Sequence, residues 1–154
     1  MLKPILVAVL SLLLLGWSKQ AGASLLWAWN YTGPGVSASG TFTTDDKPDT
    51  DGFYHIIGIT GTVDGGRITG LQAAGTAVPG NSGFPVDNLV TPTEPQLTMH
   101  GFGFLVSNGN YHNPFFNKNY LDFISIPPYV DGAGTEPAIH FMAHPCRPGE
   151  HAPL

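Results

Sequence analysis

The sequence predicts an all-β fold: a single domain of about seven to nine antiparallel strands, arranged as a β-sandwich or a twisted barrel. Two observations lead to this prediction. Runs rich in Val, Ile, Thr and aromatic residues alternate with breakers, and the 154 residues include 20 Gly and 14 Pro. After the N-terminal leader, no stretch repeats apolar residues with the helical period of about 3.6.

The first hairpin is predicted where two β-prone runs, Leu25–Tyr31 and Val36–Thr43, flank the breaker Gly33-Pro34-Gly35. A second, central hairpin is predicted over Phe53–Leu71, because its two runs flank Asp64-Gly65-Gly66, whose residues tolerate positive φ. Both faces of the first strand of this central hairpin carry apolar side chains, so we expect it inside the sheet and not at an edge.

Strict alternation assigns the side chains of that strand to two faces. One face would hold Phe53, Ile57, Ile59 and Val63, and the other Tyr54, Ile56, Thr60 and Thr62. The next segment, Gln72–Asn88, is predicted as a long surface loop, and two short strands, Leu89-Val90 and Gln96–His100, follow it. Two further strands, Phe102–Val106 and Tyr120–Ile126, are predicted on either side of an Asn-rich loop, Ser107–Asn119. The last predicted strand is Ala138–Ala143, which closes the fold.

The N-terminus has the layout of a secretory signal peptide over residues 1–23. Lys3 provides a basic start, Ile5–Leu15 is an 11-residue apolar run, and Ala21-Gly22-Ala23 places small residues where a signal peptidase reads. The apolar run is shorter than the roughly 20 residues needed to cross a membrane. We therefore expect cleavage before Ser24, export to the periplasm or the extracellular space, and no stable membrane insertion of the mature chain.

Export would leave an acidic all-β domain over residues 24–144 and a Pro-rich tail over 145–154, which we expect to be disordered. Without the leader, 4 of the 6 Lys and Arg remain against 11 Asp and Glu, so the net charge moves from −5 to −7. So few cations displace few phosphate counterions, and nucleic acid is not an expected partner. Cys146 is the only cysteine, so no internal disulfide forms, and we expect an exposed thiol without a special role.

Three aromatic side chains, Trp27, Trp29 and Tyr31, share one face of the first predicted strand. Aromatic residues spaced by two can form a platform on which sugar rings stack, which makes these residues candidates for ligand binding. The alternative is that the stripe belongs to the core, since aromatic side chains bury large areas, and this is the more frequent arrangement.

A second candidate binding site is the Asn-rich loop, through Asn110, Tyr111 and Asn113. Amide side chains both donate and accept hydrogen bonds, and beside an aromatic face they suit polyhydroxylated ligands. The alternative is an Asn-Gly turn whose Phe115 and Phe116 fold back onto the core.

The densest charge cluster contains Asp45, Asp46, Asp49 and Asp51. Four carboxylates so close in sequence repel one another unless something neutralises them, and Ca²⁺ is the candidate cofactor because it prefers oxygen ligands. The alternative is a solvated acidic turn before the central strand, assisted by its proline and glycine residues. The sequence indicates no other cofactor.

A hydrolase would need a pair of carboxylates, and the candidates are Asp122 with Glu94 or Glu136. The sequence contains no Gly-x-Ser-x-Gly elbow, no Gly-rich phosphate loop and no His-Glu-x-x-His motif. No residue constellation therefore favours catalysis, and a non-enzymatic protein is the preferred interpretation.

A resemblance to a known group of proteins rests on five segments of this chain: Val36–Thr44, Gly58–Thr62, Ile68–Leu71, Pro85–Leu89 and Gly101–Phe104. Together they resemble small secreted bacterial proteins, common in cyanobacteria, that carry a Pro-Glu-Pro C-terminal sorting signal (the PEP-CTERM group). The resemblance implies association with the cell surface or extracellular matrix and transfers no catalytic residue. The signal itself is lacking, because Glu136-Pro137 is followed by neither an apolar helix nor a basic tail.

Taken together, these patterns predict an exported, non-enzymatic protein of the cell surface or extracellular matrix that binds polysaccharide. Two alternatives stay open. One is a secreted glycan-active hydrolase with paired carboxylates, and the other is a structural module stabilised by calcium.

Overall fold

A computed structural model describes residues 23–117, 129–132 and 138–147 of the chain. These residues form strands connected by turns and loops: β1 Ser24–Gly33, β2 Val36–Asp45, β3 Tyr54–Val63, β4 Gly66–Leu71, β5 Ala77–Val78, β6 Asn81–Pro85, β7 Leu89–Val90, β8 Phe104–Val106, β9 Tyr111–His112, β10 Pro114–Phe116, β11 Tyr129–Asp131 and β12 Ala138–Pro145. Within these ranges there is no helix of the length and apolar character that crossing a membrane requires.

Ten of these strands form one antiparallel sheet in the order β10-β11-β12-β1-β2-β3-β4-β8-β9, with β7 paired to β3. The two ends of this order, β9 and β10, are separated in the chain by Asn113 alone, so the sheet curls into a nearly closed barrel. The predicted antiparallel all-β fold is therefore confirmed in its barrel form. β5 and β6 make a separate two-stranded sheet.

Both long hairpins are present as predicted. The turn between β1 and β2 is Pro34-Gly35, in which the glycine has a φ of +73°. Between β3 and β4 the turn residues Asp64 and Gly65 have φ angles of +47° and +81°. Positive φ at both central positions is the pattern of a type I′ turn, whose twist matches that of the flanking strands.

β3 lies inside the sheet, as predicted, but the strict alternation of its faces is wrong. Its register against β2 shifts between Thr43 and Thr44, because Ile57 is an extra residue in a β-bulge. Ile57 is 52% exposed, whereas Ile56 and Val63 are 1% and 4% exposed. Alternation predicted Ile56 and Val63 on opposite faces; the bulge reverses the parity between them and turns both toward the core.

The interior of the barrel is filled mainly by aromatic rings. Trp29 of β1 stacks on Phe42 of β2 with ring centroids 5.3 Å apart. Phe102 lies edge-on to Phe42 at 4.9 Å and also contacts Phe104 of β8 and Phe141 of β12. Because these rings come from strands on both sides of β1, their burial holds the curled sheet together.

Two segments predicted as loops contain strands. The segment Gln72–Asn88 includes β5 and β6, which turn at Pro79-Gly80, and Ser107–Asn119 includes β9 and β10. These strands have two to five residues, which is too short for a sequence period to be recognised. β9 and β10 belong to the main sheet and help to raise its number of strands to ten, above the seven to nine expected.

The closing strand is confirmed and runs further than predicted, because β12 extends to Pro145 and pairs with β1. Cys146 then donates its backbone N–H to the carbonyl of Leu26. We expected this residue to be exposed, but it is half-buried. The first residues of the predicted tail therefore belong to the ordered sheet. The predicted strand Tyr120–Ile126 and the rest of the tail lie outside the described residues, as does nearly all of the predicted signal peptide.

Candidate functional site

The aromatic stripe of β1 is buried. Trp27 and Tyr31 have no exposed surface and Trp29 is 1% exposed, so all three side chains point into the barrel, as their common parity implies. The indole of Trp27 donates to Thr44 Oγ1 at 3.0 Å, and the ring of Trp29 lies between its neighbours in the core. The stripe is core and offers no ring face to a sugar, which corrects the prediction of a binding platform there.

The acidic segment forms a turn whose carboxylates do not converge. Asp45, Asp46, Asp49 and Asp51 are all exposed. Asp49 Oδ1 accepts hydrogen bonds from the backbone N–H groups of Asp51 and Phe53, both at 2.9 Å, and thereby closes the loop that leads into β3. Within the described ranges no three His, Cys, Asp or Glu side chains are placed to hold a metal ion. These residues therefore do not fit the predicted calcium site, and they act as a capped turn.

Of the candidate hydrolytic carboxylates, Asp122 and Glu136 lie outside the described residues. Glu94 accepts a hydrogen bond from the Tyr129 hydroxyl, which in turn accepts one from the backbone N–H of Gln96 at 2.6 Å. Burial and the Glu94 carboxylate raise the pKa of Tyr129 above its ordinary value, so the phenol remains a donor. Glu94 thus anchors its own loop to β11.

Asn113, a predicted ligand residue, is only 1% exposed. Its amide nitrogen donates to the backbone carbonyls of His100 and Phe102 at 3.1 and 3.0 Å, and its Oδ1 accepts from Asn81 Nδ2 at 2.6 Å. Both amide hydrogens are used and the side chain is buried, so the amide is not presented to a ligand. Asn113 instead ties the β9–β10 junction to the β5–β6 hairpin, which corrects its predicted role.

The other two residues of the Asn-rich site, Asn110 and Tyr111, line a surface cavity of about 380 Å³. The cavity lies where the β5–β6 turn, the β8–β9 turn and the end of β11 meet. Its remaining lining consists of Pro79, Gly80, Gly109, His112 and Gly132. The backbone comes close at Gly132, because a Cβ there would lie 2.7 Å from Asn81 Nδ2. Part of the predicted binding loop therefore does border a concave site.

Beneath this cavity lies a buried polar group that we name the Asp131 cluster: Tyr31, His112 and Asp131. Nδ1 of His112 is 2.7 Å from Asp131 Oδ2, and the Tyr31 hydroxyl donates to the same oxygen at 2.9 Å. The backbone N–H of Asn113 donates to Asp131 Oδ1 at 3.0 Å. Asp131 is 1% exposed and His112 is 8% exposed. Two donors and one imidazole nitrogen therefore converge on one buried carboxylate.

The electrostatics of the cluster define the role of Tyr31. Burial, and then the neighbouring Asp131 carboxylate, raise the pKa of Tyr31 far above its ordinary value, so the phenol keeps its proton and donates. Besides its contact with Asp131, the imidazole ring of His112 stacks on the ring of Phe104, with the ring planes 10° apart and the centroids 5.4 Å apart. The ring is thus fixed in position and orientation, with one edge on Asp131 and the other available to the cavity that it lines.

The residues that line the cavity include one amide, one imidazole and one phenol side chain, in Asn110, His112 and Tyr111. Such a combination suits small polar molecules that carry several hydroxyl groups. Comparison of the chain with protein-family models, with curated proteins and with solved structures gave no match.

The Asp131 cluster was not predictable from the sequence. His112 and Asp131 are 19 residues apart, and Tyr31 is 100 residues from Asp131, so no local spacing connects them. Asp131 stands directly before a glycine, a context typical of turns, yet it ends β11 and is buried. An isolated buried carboxylate shows no sequence signal until its partners are known.

Proposed function

We propose that this chain is an exported protein of the cell surface or extracellular matrix that binds polysaccharide in the cavity lined by Asn110 and Tyr111. The observation that carries the proposal is the cavity itself, about 380 Å³ in volume, which lies within the range of roughly 300 to 1,000 Å³ typical of ligand sites. An aromatic ring packs against the C–H face of a sugar, while amide and imidazole groups exchange hydrogen bonds with its hydroxyls.

Export is supported by where the barrel begins. β1 starts at Ser24, the residue that follows the predicted signal-peptide cleavage. The described pairing of β1 with β2 begins at Ser24, so cleavage at that point leaves this pairing intact. An acidic surface with few cations also agrees with a protein that works outside the cell without nucleic acid or anionic membranes as partners.

Binding is favoured over hydrolysis because Glu94, the described member of the proposed carboxylate pairs, is held by Tyr129 in its own loop. Glu94 is not among the residues that line the cavity. A binding protein needs only the concave site and its polar lining, both of which are present.

The test is glycan binding by the secreted, processed chain, measured on a glycan array and by pull-down with insoluble polysaccharides. Tyr111→Ala should weaken binding by about tenfold or more, because it removes the ring that packs on the sugar. Asn110→Ala should weaken it less, through loss of hydrogen bonds. Asn30→Ala is the matched control, because Asn30 is exposed on β1 and does not line the cavity. If the wild-type protein binds no glycan, the proposal is refuted.

A further inference from the structure

The polar group at the base of the cavity is His112, and its hydrogen-bonding character follows from Asp131. The Asp131 carboxylate accepts from the Tyr31 hydroxyl and from the backbone N–H of Asn113. Each of its two oxygens therefore already acts as a hydrogen-bond acceptor. Nδ1 of His112, 2.7 Å from the same carboxylate, must therefore carry the hydrogen that lies between them.

When the imidazole is neutral, a hydrogen on Nδ1 leaves the lone pair on Nε2. Within the described residues Nε2 makes no hydrogen bond, while His112 lines the cavity. Stacking on Phe104 and the bond to Asp131 prevent the ring from turning over to present Nδ1 instead. With a neutral His112, the cavity therefore has an acceptor at its base, with the Asp131 carboxylate behind it.

The described residues that line the cavity include no Lys or Arg. A sugar hydroxyl can donate to Nε2 and accept from neighbouring groups. A carboxylate or sulfate on a sugar can only accept, so it would face a lone pair and a like charge.

We propose that Asp131, acting through His112, makes the cavity selective for neutral sugars and excludes uronate and sulfated sugars. The inference rests on the proposed function and adds the ligand class. Asp131 is a positioning residue here, because it contacts His112 and not the ligand, and His112 Nε2 is the group that contacts the sugar.

The first test needs no ligand and no variant. Nitrogen-15 NMR of the histidine rings in the full chain, recorded in alkaline buffer, should show His112 with hydrogen on Nδ1 and a lone pair on Nε2. Hydrogen on Nε2 instead would overturn the inference and leave polysaccharide binding as proposed.

The second test compares neutral and uronate-bearing oligosaccharides of matched length by calorimetry in the same buffer. Wild-type protein should bind the neutral series at least about tenfold more tightly. In Asp131→Asn the introduced amide donates to Nδ1 and moves the hydrogen to Nε2, so the preference should fall to about threefold or less. Tyr31→Phe combined with Asp131→Asn removes the phenol that would lose its acceptor, and the double variant should show the same loss of preference.

The outcomes separate the two proposals. Equal binding of both series by the wild-type protein, or an unchanged preference in folded Asp131→Asn, refutes the selectivity but not polysaccharide binding. Binding of neither series, with no binding on the glycan array, refutes both.

Discussion

Nδ1 of His112 lies 2.7 Å from Oδ2 of Asp131 at the point where β9 and β11 approach each other beneath the surface cavity. β9 and β11 are not neighbours in the order of the main sheet, but β10, which follows β9 after Asn113, pairs with β11, and this hydrogen bond adds a side-chain link at that junction. The same carboxylate holds Tyr31 of β1, and the cluster therefore joins three strands through one buried charge.

Replacement of Asp131 by alanine should destabilise the protein strongly. Asp131→Ala leaves the Tyr31 hydroxyl, His112 Nδ1 and the Asn113 amide without their buried acceptor, at a cost of about 3 kcal/mol in the free energy of unfolding. Urea denaturation at fixed pH measures this change. Asp46→Ala is the control, because Asp46 is exposed, and its midpoint should match the wild type. Equal midpoints for both variants would contradict this account of the cluster.

A second carboxylate, the half-buried Asp87, should make stability fall with rising pH. Burial raises the pKa of Asp87 above its ordinary 3.8, although hydrogen bonds from Thr98 and from the backbone N–H of Leu89 act in the opposite direction. The folded state therefore binds this proton more tightly than the unfolded state does. The resulting stability is fully present below the unfolded pKa and is lost as pH rises through the raised folded value.

Asp87→Asn should remove that loss, because the amide does not ionise. Unfolding free energies measured from acid to neutral pH should fall more steeply for the wild type than for Asp87→Asn once the pH exceeds 3.8. Parallel curves for the two proteins would show that the Asp87 carboxyl has the same pKa in both states.

The bulge in β3 predicts opposite results for two adjacent isoleucines. Ile56→Ala should cost about 2 to 4 kcal/mol, because Ile56 is 1% exposed and its removal leaves a cavity in the core. Ile57→Ala should cost about 0.5 kcal/mol or less, since the side chain is 52% exposed at the bulge. Thermal and urea unfolding of the two variants measures the difference. A reversed order would mean that β3 alternates without a bulge.

Alanine substitutions at two glycines, Gly61 of β3 and Gly70 of β4, should also differ in how much they destabilise the protein. Gly61 has a φ of +143°, and a Cβ there would lie 2.8 Å from the Cα of Gly40, its partner on β2. Gly61→Ala should therefore destabilise the protein by about 3 kcal/mol. Gly70→Ala is the matched control, because a Cβ at Gly70 meets no atom within 4 Å. If the two variants unfold at the same denaturant concentration, β2 and β3 are not in close contact at this point.

The parts of the fold that the sequence determined are those set by neighbouring residues. The turns at Pro34-Gly35 and Asp64-Gly65 follow from the φ angles that proline, aspartate and glycine accept, so both long hairpins were predictable. The closing strand Ala138–Ala143 was predictable for a similar reason, because its alternation of buried and exposed residues is uninterrupted.

Only the tertiary structure determined whether a given strand face points into the core or toward solvent. The common parity of Trp27, Trp29 and Tyr31 was visible in the sequence, but two arrangements, core or exposed platform, shared that pattern. In the folded barrel these three side chains point inward and belong to the core. The bulge at Ile57 was likewise invisible, because a bulge depends on register against β2 and not on the composition of β3 alone.

For the candidate site, the sequence by itself pointed to Asn110 and Tyr111, since amides beside an aromatic ring in a loop are a local signal. Tertiary structure alone placed His112 and Tyr31 on Asp131, because hydrogen bonds between residues 19 and 100 positions apart form only after the barrel has curled. The tertiary structure also removed Asn113 from the candidate ligand residues, because its amide is hydrogen-bonded to two backbone carbonyls and to Asn81. Short-range preferences thus defined the hairpins, and barrel closure decided which polar side chains are buried together and which face the cavity.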